Sequence, residues 1–122
     1  MSSNNAPLLV TGEILLSEDM ASFSEATVNV YLEDVSFLDA PSKIVAKQVI
    51  PNINHEMGTK NRVEFALKGE VVDIQASYSI RVHIAQHENE QIHHGDYVST
   101  ESYPVLTFGY PHHVSVRVRE VK

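Results

Sequence analysis

The sequence predicts an all-β fold, a single two-sheet β-sandwich of about seven or eight strands. Three observations predict it. Apolar and polar residues alternate with period two in four separate stretches, which puts one set of side chains on a buried face. Turn-forming residues separate these stretches at short intervals. No stretch sustains the helical period of about 3.6.

Residues 8–16 are an apolar run read as a first, less regular strand. Val28, Val30 and Leu32 then alternate with Asn29, Tyr31 and Glu33. A second irregular strand is placed at 43–50. Val63, Phe65 and Leu67 alternate with Glu64, Ala66 and Lys68, and Ile80, Val82 and Ile84 with Arg81, His83 and Ala85. A third irregular strand falls at about 95–103, and Val114, Val116 and Val118 alternate with Ser115, Arg117 and Arg119 to close the chain. Pro51 and Pro111 are expected to stop strands, because proline cannot donate to the ladder. Residues 71–75 read as a short helical turn or an irregular strand. With no internal repeat or linker, residues 1–9 are set apart as an N-terminal extension and 10–122 as one domain.

A chain of 122 residues buries roughly two-thirds of its unfolded surface, enough for a core without staples. It contains no cysteine, which excludes disulfides, thiolate metal sites and a cysteine nucleophile. All of the net charge of −7 sits in residues 1–42, where seven acids meet no Lys or Arg. Nucleic acid and anionic lipid both select cationic surfaces, so neither is expected as a partner. An acidic patch suits a basic partner. No apolar run reaches the roughly 18 residues of a membrane span, so no membrane insertion is expected.

Seven histidines include the adjacent pairs His93–His94 and His112–His113. Neighbours on a strand face opposite ways, and a zinc ion needs three or four converging ligands. No metal site is therefore expected, and no cofactor. The stretch from Glu33 to Asp39 lacks the glycine and terminal Glu of a calcium loop and reads as an Asx- or Ser-stabilised turn. Neither a Gly-x-Ser-x-Gly elbow nor a phosphate-cradling loop occurs, so no enzyme is expected and no catalytic residue is assigned. Glu13 and Glu33 are expected near Arg117 and Arg119.

Residues 103–111 hold three aromatics, two prolines and a glycine. Tyr103, Phe108 and Tyr110 are the candidate binding residues, with Tyr110 placed between Gly109 and Pro111 where a turn projects a ring outward.

The run V-Y-L-E-D-V-S-F-L-D-A-P over residues 30–41, followed by I-V-A-K-Q over 44–48, resembles the signature of the YbaY/YscW-like family. The Y-S-I-R-V-H-I strand at 78–84 and the Y-P-V-L-T segment at 103–107 fit the same family, in order, over residues 10–121. The resemblance implies a compact β-sandwich, commonly a bacterial envelope lipoprotein. Some members are pilotin-like chaperones for an outer-membrane secretin of the type III secretion apparatus. It brings no active-site residues with it. The sequence departs from the family in showing no signal segment or lipid-bearing cysteine, and its 52–61 stretch has no proline.

The functional expectation is a non-enzymatic binding or chaperone-like accessory domain that recognises a protein segment, by strand addition or by docking. Alternatives are a small-molecule or carbohydrate-binding module using Tyr97, Tyr103, Phe108 and Tyr110, and a histidine-dependent metal protein. Taken as complete, the chain is expected in the cytoplasm. If a leader has been removed, the expected place is the periplasm or the outer membrane.

Overall fold

The computed structural model describes residues 7–37, 39–69, 73–86 and 91–122. Among these residues there are nine strands and no helix. They are β1 (Leu8–Leu16), β2 (Phe23–Asp34), β3 (Lys43–His55), β4 (Asn61–Lys68), β5 (Tyr78–Ala85), β6 (Tyr97–Val98), β7 (Pro104–Val105), β8 (His113–Arg117) and β9 (Arg119–Glu120). The fold is an all-β sandwich. One sheet has the order β4-β1-β8, and the other runs β3-β2-β5-β6-β9, with β7 also paired to β5.

The period-two pattern sets the core. Val10, Ile14 and Leu16 of β1 face inward with Val63, Phe65 and Leu67 of β4 and Val116 of β8. Ala26, Val28, Val30 and Leu32 of β2 oppose them, beside Ile80, Val82 and Ile84 of β5. Gly12 takes the remaining inward position of β1, and Phe65 pairs with it across the ladder. The bare Cα leaves the room that the Phe65 ring occupies.

The outer face of the large sheet is covered by its own side chains. The Arg81 guanidinium lies over the Tyr31 ring at 4.2 Å and its Nε donates to Glu33 at 3.0 Å, while Lys47 approaches the other neighbour position of the ring at 5.4 Å. Glu33 thus pairs with Arg81, and Glu13 with Arg62 at 3.1 Å, instead of with Arg117 and Arg119 as expected. Register explains the difference. Arg117 stands opposite Leu15, and Arg119 lies on β9, with β5 and β6 between it and β2.

The C-terminal strand changes sheets. β8 runs parallel to β1, and after Val118 the chain continues as β9, antiparallel to β6. This crossing closes one side of the sandwich. On the opposite side the edges of β3 and β4 meet, where Gln48 Oε1 accepts the Ala66 N–H at 2.8 Å.

Pro51 does not end its strand. β3 continues to His55, because at a sheet edge the missing N–H removes no ladder bond. The pairing shifts there between Ala26 and Val28, with Asn52 at φ 61°. Within the strand expected at about 95–103, β6 covers Tyr97–Val98, and backbone bonds to β5 continue past it, from Ser99 N–H to Val82 O and from Ile80 N–H to Tyr103 O. Beyond it, serine hydroxyls stand in for ladder atoms: Val82 N–H donates to Ser99 Oγ and Tyr103 N–H to Ser79 Oγ. β1 begins inside the stretch set apart as an extension. Residues 71–72 of the 71–75 reading lie outside the described residues, and 73–76 form a turn closed by Ala76 N–H to Asp73 O.

Candidate functional site

The loop from β7 to β8 is built on unusual backbone. Leu106 and Phe108 adopt φ of 74° and 56°, a left-handed region that bulky L residues rarely enter, and Gly109 follows at 84°. Cross-links hold it there. Leu106 N–H donates to Pro111 O, Tyr110 N–H to Thr107 O, and Thr107 Oγ1 to Ala76 O at 2.6 Å. The two halves of the loop face opposite ways. Leu106 packs on the core and Thr107 is buried, whereas Phe108 is 66% exposed and Tyr110 49% exposed.

Tyr103 differs from these two. It is half-buried, and its hydroxyl accepts the Arg117 N–H at 2.8 Å, just before the chain crosses between sheets. Tyr97 is a core residue in ring contact with Phe23 at 5.8 Å, and burial pushes its hydroxyl pKa up. It offers no surface to a sugar or small ligand.

Two loops flank the 106–112 loop, and sequence reading did not single out their apolar residues. Phe37 follows the β2 end, and Ile74 lies in the turn before β5. Hydrogen bonds tie the loops together. Val35 N–H donates to Ser77 O, and Ser77 N–H to Ser36 Oγ. The D-V-S element of the signature is an Asx turn, with Ser36 N–H on Asp34 Oδ1 at 3.0 Å, as the sequence implied. The Ser36 hydroxyl and N–H hold the Asp34 carboxyl below the ordinary carboxylate range. An aromatic within the turn that follows Asp34 was the available signal for Phe37.

The histidines are dispersed. His83 is buried against Asp96, and His55 is buried beside Phe23 with Nδ1 3.3 Å from Asn61 Nδ2. His112 and His113 are exposed, with His113 Nδ1 2.9 Å from Thr11 Oγ1, and His87 lies outside the described residues. Among the described residues, no three His, Asp or Glu side chains are grouped to hold a metal ion.

A family described as type III secretion system lipoprotein chaperone (YscW) matches residues 6–118. The chain belongs to the YscW family. Among solved structures, it is similar to an alternative pilotin from the type II secretion system of Vibrio cholerae. That likeness has 28% identity and a TM-score of 0.71, and covers 93% of this chain and 96% of the pilotin. No curated protein matches it. The family is of the chaperone type, which points to a protein-binding accessory role. It also corrects the cytoplasmic expectation. YscW-type chaperones are lipoproteins, which points to the periplasm or the outer membrane. The cytoplasmic reading rested on the first residues of the chain, and these do not fix a compartment.

Proposed function

We propose that this YscW-family protein is an accessory chaperone that holds a segment of a secretion-apparatus protein on the 103–111 loop. Phe108 and Tyr110 are the contact residues, and Tyr103 anchors the loop to β8. The observation that supports this most is the left-handed backbone at Phe108, which keeps a large ring in solvent although burial would stabilise it. Strain of this kind persists only where surrounding bonds over-determine it, and it concentrates at functional sites. The family resemblance names an outer-membrane secretin as the partner, and a secretin segment is the first to test.

The test titrates the full chain with overlapping peptides that tile the secretin of the same organism. Tyr110→Ala and Phe108→Ser are expected to weaken the binding peptide by about 1 kcal/mol or more each, with the melting temperature nearly unchanged. Unchanged binding by both well-folded variants would overturn the assignment, as would failure of every peptide to bind.

A further inference from the structure

The 106–112 loop does not stand alone at its end of the sandwich. Phe37 is 76% exposed and Ile74 80% exposed. Phe37 adjoins Ser36, whose Oγ accepts the Ser77 N–H at 2.9 Å. Phe108 adjoins Thr107, whose Oγ1 donates to Ala76 O at 2.6 Å. Ile74 belongs to the same short turn, closed by Ala76 N–H on Asp73 O. Three loops from distant parts of the sequence therefore present Phe37, Ile74, Phe108 and Tyr110 at one end of the fold. Single exposed apolar residues are ordinary, but large ones gathered on tied loops mark an interaction surface.

The charge on these loops selects the occupant. Residues 35–42, 73–77 and 106–112 contain Asp39 and Asp73 and no Lys or Arg, and Asp34 stands at the base of the first loop. Lys43 lies within electrostatic reach of Asp34. Three carboxylates beside an apolar patch repel an anionic lipid surface and an acidic peptide alike, and attract a cationic one.

We infer that this three-loop end is the docking surface for a basic, apolar-anchored segment of the partner protein, with Phe37 and Ile74 as binding residues beside Phe108 and Tyr110. The inference rests on the proposed function and adds to it the far half of the surface and the charge of the partner segment. A basic segment lays its apolar side chains across the four exposed residues while its Lys or Arg side chains meet Asp34, Asp39 and Asp73.

The experiment titrates the full isotope-labelled chain with two short synthetic peptides of one apolar pattern. One carries Lys and Arg at its polar positions, and the other Glu. The basic peptide is expected to shift backbone amides in all three loops together and to bind at least about tenfold more tightly than the acidic one. Added salt should narrow that gap. Phe37→Ser and Ile74→Ser should each weaken the basic peptide about fivefold or more, at unchanged melting temperature. Equal binding of the two peptides, or normal binding by both loop variants, would sink the inference. The proposed function would still stand if Tyr110→Ala weakened a secretin peptide, and would fall separately if it did not. Amide shifts with neutral phosphatidylcholine vesicles and none with the basic peptide would assign the surface to a membrane and overturn the inference.

Discussion

His83 Nε2 donates to Asp96 Oδ2 at 2.9 Å, and neither side chain is open to solvent. Asp96 is the hub of this region. Its carboxylate also accepts the backbone N–H groups of Gln86 at 3.1 Å and His93 at 3.0 Å, so it ties both ends of the β5–β6 connection to β5. Backbone bonds from Gly95 N–H to Val121 O and from Val121 N–H to Asp96 O then hold the chain's last residues beside it. Burial pushes the Asp96 carboxyl up, but the His83 bond and the two N–H donors outweigh it and leave the pKa below its ordinary value.

Removing Asp96 leaves a buried imidazole and two N–H groups without their acceptor. Asp96→Ala is expected to cost about 3–5 kcal/mol, the range for breaking one side of a buried pair. Asp96→Asn should cost less, because its amide oxygen still accepts. Urea denaturation at neutral pH measures both.

The same carboxylate makes stability depend on acid. Its folded pKa lies below the ordinary aspartate value, so its contribution is full above that value and is lost as pH falls through the lower folded value. The urea midpoint of the wild type should therefore drop on acidification below pH ~4. That of Asp96→Asn should drop less over the same window. Parallel curves for the two proteins would refute the assignment.

Gly12 is expected to tolerate no side chain. A Cβ there would meet Val114 O at 2.4 Å and Phe65 Cζ at 2.5 Å. Gly12→Ala should cost about 1–3 kcal/mol or more by overpacking. Trimming the ring in Gly12→Ala/Phe65→Leu should restore only part of this, since the Val114 carbonyl belongs to the paired backbone of β8 and cannot swing away. Full recovery in the double variant would show that the ring was the whole obstacle.

What was legible in the sequence follows from which interactions are periodic. Val28, Val30 and Leu32 repeat every second residue because a pleated strand alternates faces, so both the sandwich and its core could be read. The edge position of β3, which lets Pro51 stay in a strand, depends on a partner that is absent, and no local pattern encodes that. The sheet change at Val118 is equally silent, since Val114, Val116 and Val118 keep one period through both sheets. Phe108 and Tyr110 were visible as aromatics among turn residues. Phe37 and Ile74 join them only through bonds between loops distant in sequence.

Tyr103 should separate anchoring from contact. Tyr103→Phe keeps the ring and removes the acceptor of the Arg117 N–H, at an expected cost of about 1 kcal/mol. Hydrogen exchange at the Arg117 amide should quicken, while the affinity for a bound segment changes little. A large loss of affinity with unchanged exchange would make Tyr103 a contact residue instead.

Phe108 offers the sharpest separation of stability from binding, because its backbone and its ring make opposite demands. At φ 56° every L side chain carries a steric cost that glycine escapes. Phe108→Ala keeps that cost and loses the ring, whereas Phe108→Gly loses both. Phe108→Gly is therefore expected to be more stable than Phe108→Ala by roughly 1 kcal/mol, and at least close to the wild type. A ring packed in the core would give the reverse, with both variants falling by about 3–5 kcal/mol. If the exposed ring is a contact, the two variants should bind a segment equally weakly despite their difference in stability. Chemical denaturation of both, with a binding titration of each, decides it. Binding that follows stability instead of the ring would remove Phe108 from the site.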